Sequence, residues 1–142
     1  MVETLKKRPT EYPEKQIPIF FKWGLPGLDG CKNFTLHVIE DNPYFYYLQS
    51  LENEAIGLIL IDPFSCFSGY VLELGDLVKR DLKILKKEDV LVLSTVTVLG
   101  KKQMTVNLAA PIVINIREKI AKQIIISDNL AQMRMPLPVS KA

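Results

Sequence analysis

The stretch from Val90 to Ala109, VLVLSTVTVLGKKQMTVNLA, decides the fold. From Val90 to Leu99 it is rich in Val, Leu and Thr, the residue types that suit a pleated, half-buried surface. Gly100 to Gln103 makes a short polar loop, and Met104 to Ala109 returns as a second apolar run, so the segment predicts a β-hairpin. Period two in the returning strand sets Thr105 and Asn107 on one face, opposite Met104, Val106 and Leu108. Asn107 therefore either faces water or uses its amide to fix a loop or meet a partner's backbone.

Downstream, Pro111 opens a second pair, Ile112 to Ile116 and Gln123 to Ser127, joined by the charged connection Arg117 to Lys122. Asn115 interrupts its apolar run as Asn107 does in the first hairpin. Asp128 to Ala142 carries two prolines and no strong period, which predicts a segment that lies on the surface or frays. Upstream, Ile17 to Trp23 alternates with Ile19, Phe21 and Trp23 on one face and breaks at Gly24-Leu25-Pro26-Gly27. Phe34, Leu36 and Val38 repeat at period two until Asp41-Asn42-Pro43, and Tyr44 to Gln49 has the aromatic content of a further strand. Ile56 to Ile61 is apolar on both faces, as in the interior of a closed or layered sheet, and Pro63 of Asp62-Pro63 has no amide hydrogen with which to continue it.

One segment reads as helix: Leu74, Leu77, Val78, Leu82 and Leu85 share a face, Asp76 suits an N-cap, and the lysines from Lys79 to Lys87 suit the negative end of the helix dipole. Up to Gln16 the chain mixes Lys, Glu, Pro and Thr without period, a mobile lead-in. The expected architecture is all-β: a small antiparallel barrel-like domain of about seven or eight strands with one short helix, spanning residues 17–137 and followed by a tail at 138–142.

Composition agrees with a globular chain. Its 142 residues are 48% hydrophobic and 24% charged, which excludes disorder throughout. A net charge of +2 with interspersed signs supplies little long-range attraction for phosphates. No apolar run approaches the roughly 20 residues of a membrane span, and no secretory signal pattern opens the chain, so a cytoplasmic protein is expected. Cys31 and Cys66 have neither CxxC spacing nor a neighbouring His, and are read as small buried hydrophobes rather than metal ligands or a disulfide.

Reactive constellations are sparse. His37 is the only histidine, on the strand face opposite Phe34, Leu36 and Val38, without the serine or cysteine pattern of a triad. Nucleotide-binding glycine loops, the zinc-protease motif and the nucleophile elbow are missing. Glu40-Asp41 and Glu52 with Glu54 lie at turns, where such residues bond nearby amides. Tyr44, Phe45, Tyr46 and Tyr47 could stack nucleobases, but their acidic flanks repel a phosphate backbone and favour core packing. The sequence therefore predicts no catalytic, metal-binding or cofactor-binding residue. Phe64, after the strand-stopping Asp62-Pro63, is either tucked inside or part of a partner-binding edge.

Taken in order, several segments resemble the bacterial flagellar assembly factor FliW family. They are Gly24-Leu25-Pro26-Gly27, Glu40-Asp41-Asn42-Pro43 with Leu48-Gln49-Ser50, and Ile61-Asp62-Pro63-Phe64. The similarity continues through Glu88 to Leu93 with Val96-Thr97-Val98, then Met104 to Asn115, and Arg134-Met135-Pro136-Leu137. The sequence departs from the family at Leu28 and Val106, and at Ala131 and Met135, where Tyr and His are expected. The resemblance implies a small barrel-like binding protein without catalytic activity or cofactor. It further implies two protein partners, the translational repressor CsrA, whose silencing of flagellin messenger RNA is relieved, and flagellin itself. Asp62, Pro63, Phe64, Asn107, Asn115 and Arg134 are the expected partner contacts, with Phe64→Ala and Asp62→Arg expected to weaken binding more than stability. A single-stranded nucleic-acid-binding barrel is the alternative; otherwise neither nucleic acid nor membrane is expected as a direct partner.

Overall fold

The computed structural model describes residues 3–5, 15–101 and 103–137. In chain order its strands are β1 (Glu3–Leu5), β2 (Gln16–Phe20), β3 (Asn33–Val38), β4 (Phe45–Ser50), β5 (Gly57–Ile61), β6 (Leu72–Leu74), β7 (Val90–Val98), β8 (Met104–Val106), β9 (Ile112–Asn115), β10 (Ile120–Gln123) and β11 (Met135–Pro136). Three short helices punctuate them: α1 (Pro63–Cys66), α2 (Asp76–Asp81) and α3 (Leu130–Met133).

Seven strands close into a barrel in the order β7-β5-β4-β3-β2-β10-β9, with β9 returning to β7 through the pairs Val90↔Asn115 to Leu93↔Ile112. The long β7 makes closure possible. One of its edges serves β9 over its first half and β8 over Val96 to Val98, while the opposite edge pairs with β5 over Ser94 to Val96. Closure pairs edges that would otherwise be left open to aggregation. The seam between β2 and β10 is the exception in direction, a single parallel bridge at Ile120↔Phe20 with the Phe20 amide donating to the Lys119 carbonyl at 3.0 Å.

Alternation fills the interior. Ile17, Ile19, Phe34, Leu36, Tyr46, Leu48, Leu91, Leu93, Ile112 and Ile114 point inward, and Phe21 meets Phe34 edge-on with ring centroids 5.2 Å apart. Such a ring pair adds about 1 kcal/mol beyond its buried area. The unbroken apolar runs in β7 and β9 have a separate cause, because their outer face is also covered. The β1–β6 pair and the residues after α2 lay Leu5, Leu72, Leu74, Leu82 and Ile84 over Val90, Val92 and Val113. A strand buried on both faces has no reason to alternate.

Several boundaries differ from the expected ones. The lead-in contains β1, whose Leu5 is buried against β6, while residues 6–14 and the tail at 138–142 lie outside the described residues. The second hairpin turns three residues early: its return strand is β10, not Gln123 to Ser127, and the Lys119 amide closes the turn on the Asn115 carbonyl at 2.7 Å. The expected helical face dissolves into three pieces. Leu74 belongs to β6, Val78 and Leu82 come from α2 and its cap, and Leu77 and Leu85 are exposed. Gly75 is the N-cap of α2, with Asp76 in its first turn. Of the aromatic cluster only Tyr46 is fully buried, Phe45 is half-buried, and Tyr44 and Tyr47 lie exposed outside the barrel.

Candidate partner-binding groove

At the end of β5 the chain makes an elbow whose chemistry is local. Asp62 accepts a hydrogen bond from the Phe64 amide at 3.0 Å and another from the Ser65 hydroxyl at 2.9 Å, capping α1, and Pro63 takes the first helical position, where no amide hydrogen is needed. Asp62 is 1% exposed and Pro63 is buried, so neither presents its side chain to a partner. Asp62→Arg consequently falls on stability before binding, contrary to the expectation from sequence. Phe64 is half-buried and packs edge-on against Tyr70, centroids 5.2 Å apart.

Tyr70 opens onto a groove. The loop after α1, from Phe67 to Val71, forms one wall, and the tail around Gln132 and Met135 forms the other, with Leu108 and Ile126 between them. This hollow holds about 400 Å³, and a second of about 500 Å³ adjoins it along Val71 to Glu73, sharing Val71 and Ile126. Both shared residues are nearly half exposed, Val71 at 44% and Ile126 at 46%. The tail is held in place by sequence signals of its own. Asn129 caps α3 through the amides of Ala131 and Gln132, the Leu108 amide donates to the Gln132 carbonyl at 2.8 Å, and Met135 pairs with Val106. Met135, one of the departures from the family pattern, packs on Ile61, Val106 and Leu108.

The fold thus gathers most of the expected contacts around one feature in different roles. Phe64 backs the groove through its contact with Tyr70, and Asp62 and Pro63 fix the α1 turn that carries Phe64. Asn107 accepts from the Ala109 amide at 2.9 Å, the short-range bond that swings the chain out of β8 and places Leu108 in the groove. Arg134 is exposed beside Met135. Asn115 is not part of this group. It is fully buried, and its side chain donates to the carbonyls of Leu82 and Lys83 while accepting from the amides of Arg117 and Glu118. It is a clamp between α2 and the β9–β10 turn rather than a contact residue.

The Tyr70 hydroxyl is buried and has no hydrogen-bond partner among the described residues. Desolvation pushes its phenol up to about 12 from an ordinary 10. Because the folded value is the higher one, the stabilisation is whole below about pH 10 and is lost as pH rises towards 12. Tyr70→Phe is expected to keep or raise stability by about 1 kcal/mol at neutral pH, since it removes an unsatisfied buried group. The same variant should flatten the alkaline decline in the urea-unfolding midpoint; an unchanged decline would assign it to another group.

Two carboxylates away from the groove hold structural bonds. The Asn33 side-chain amide, at 2.8 Å, and the backbone amides of Asn33 and Lys32 hold the Glu52 carboxyl below the usual carboxylate range. Glu40 pairs with Lys15, and that pairing lowers its carboxyl in the same way. His37 lies half-buried beside the Tyr47 ring, Cys31 is buried, and Cys66 is half-buried with its thiol pushed up by desolvation and then by Asp62. No cluster of potential metal ligands occurs among the described residues, and no helix in them is long and apolar enough to cross a membrane.

Sequence reasoning missed α1, Tyr70 and the groove walls Val71 and Ile126. The signal for α1 was present in Asp62-Pro63, an N-cap residue followed by proline at the first helical position. No local pattern marks Val71 and Ile126, which come together from segments distant in sequence.

Comparison with known proteins agrees with this architecture. The family model described as FliW protein matches residues 1–137. The flagellar assembly factor FliW of Clostridium novyi (strain NT) is 46% identical over 128 residues, 89% of each chain. That of Clostridium tetani (strain Massachusetts / E88) is 44% identical over 89% of this chain and 88% of its own. A crystal structure of the flagellar assembly factor FliW superimposes with a TM-score of 0.78 at 32% identity, covering 99% of this chain and 100% of that one. With a family model spanning nearly the whole sequence and relatives this similar, the chain belongs to the FliW family of flagellar assembly factors.

Proposed function

We propose that this chain is a non-enzymatic cytoplasmic regulator that binds the translational repressor CsrA and flagellin, linking flagellin synthesis to flagellum assembly. The family match over residues 1–137 carries the reading. The groove supports it, because a largely apolar lining with half-exposed Val71 and Ile126 suits a protein segment that brings apolar side chains of its own. Control by such a protein is competition: each partner's occupancy follows its concentration and affinity, and no covalent step is required.

Calorimetric titration with CsrA, repeated after saturation with flagellin, tests the function. Binding of each partner alone and loss of CsrA heat in the presence of flagellin are expected; failure to bind either would end the reading. Placement of the site is tested by Val71→Glu with Ile126→Glu. Both side chains are exposed, so folding should persist while affinity falls at least about tenfold. Undiminished affinity in that folded variant would move the contact to another surface.

A further inference from the structure

A second surface, remote in chemistry from the groove, lies around the β9–β10 turn. Trp23, the only tryptophan, is 45% exposed just after β2, with Lys122 Nζ at 4.6 Å and Lys22 Nζ at 5.5 Å from its ring centroid. Lys122 also bonds Asp81 of α2 at 3.0 Å, and Arg117 bonds Asp89, Glu118 and the Lys83 carbonyl. These links tie Trp23, the β9–β10 turn and the basic stretch after α2 into one face. Lys22, residues 76–89 and residues 115–123 together hold nine cations against five carboxylates, an excess of four on a chain whose total is +2. Three of those carboxylates, Asp81, Asp89 and Glu118, are already engaged by Lys122 and Arg117. Leu85 stands 79% exposed among the lysines, and Phe20 is 39% exposed at the barrel seam beside Lys119.

We infer that this face is a docking surface for an acidic, amphipathic protein segment, which places carboxylates on the lysines and apolar side chains on Trp23 and Leu85. Charge complementarity selects the occupant: an excess of four cations accompanies the exposed Trp23 and Leu85, so a partner needs the opposite charge and apolar content of its own. A nucleic acid fits less well. Leu85, at 79% the most exposed apolar anchor of the face, offers no ring for a base to stack upon.

The sole tryptophan supplies the readout. A short synthetic peptide in which leucines alternate with glutamates is titrated while Trp23 emission is followed, with the glutamine-for-glutamate peptide and oligouridylate as comparators. The acidic peptide should change the emission saturably, and more weakly as salt is raised. The double variant Lys22→Glu with Lys119→Glu, and separately Leu85→Asp, should each weaken it about tenfold with unfolding midpoints unchanged. Absence of peptide binding up to about 1 mM would overturn the inference. So would equal binding of the glutamine peptide, indifference to both variants, or binding of oligouridylate in place of the peptide.

Discussion

Asp62→Arg is expected to cost about 4 to 5 kcal/mol of folding stability, a large part of the roughly 5–15 kcal/mol that holds a domain of this size. Two losses combine. The first is the cap: the Phe64 amide and the Ser65 hydroxyl lose their acceptor, which costs about 1 to 2 kcal/mol. The second is larger. The position is 1% exposed, so a guanidinium placed there is either desolvated without a carboxylate or forces the elbow apart, at about 3 kcal/mol. Asp62→Asn keeps an acceptor for the Phe64 amide and should cost only about 1 kcal/mol. Urea unfolding of both variants checks the ordering. Near-equal midpoints for Arg and wild type would mean that the elbow opens to water at little cost and that Asp62 is a surface residue after all.

The elbow also shows where sequence reading succeeds and where it stops. Alternation locates β3 and β4 to within a residue and β2 with an end three residues too late, because each has one face in the barrel and the other in water, and that contrast is written into the chain. The apolar runs at Ile56 and Val90 are both strands, although periodicity does not say what covers the second face of either. The helix was misread because Leu74, Val78 and Leu82 serve one outer cluster from a strand, a helix and a cap, so their spacing mimicked a single helical stripe. Ile124 to Ile126 looked like a strand for a related reason. Ile124 packs on the outer cluster and Ile126 lines the groove, while their amides still donate to the Pro111 and Ala109 carbonyls at 3.0 and 2.8 Å, so the run follows β9 past the end of β10.

The polar candidate contacts have structural bonds of their own. Asp62, Asn107 and Asn115 were singled out as polar residues in apolar surroundings, which sequence cannot separate into exposed and satisfied. The structure separates them by what they bond: each fixes backbone amides two or three residues ahead, and none offers its side chain as an isolated polar group on a surface. What remains for a partner is apolar and cationic, and it is assembled from segments far apart in the chain. Val71 and Ile126 line one hollow from segments distant in sequence, with the Ile126 amide bonded to the Ala109 carbonyl, and Trp23 meets Lys122 where the barrel closes at the β2–β10 seam.

Asn115→Ala is expected to cost about 3 kcal/mol, the most of any single polar truncation in the barrel. The amide reaches the Leu82 and Lys83 carbonyls at 2.7 and 3.1 Å, and its oxygen receives the Arg117 and Glu118 amides at 3.0 and 3.2 Å. Truncation takes that partner from the Leu82 carbonyl and the Arg117 and Glu118 amides, while the Lys83 carbonyl keeps only Arg117, and unsatisfied buried groups each cost about 1 kcal/mol or more. Lys83 adds to the bill, since its backbone sits at φ 55°, a left-handed conformation held by the bonds to its carbonyl. Asn115→Asp sharpens the test. The two amide acceptances survive, but a carboxylate then faces two carbonyl oxygens, so its folded pKa must rise above the unfolded value of about 3.9. Stability should be nearly retained at the acid end, where the group is protonated and can donate, and should fall as pH rises from about 4 towards 7. A flat pH profile for that variant, or an Ala variant as stable as wild type, would show that water replaces the clamp and that α2 is not held to the β9–β10 turn through this residue. The same measurement bears on the basic face, because Lys83 and Arg117 owe their placement to this junction. Loosening it should shift Trp23 emission before the barrel itself unfolds, since Lys122 reaches from Asp81 of α2 to the indole ring.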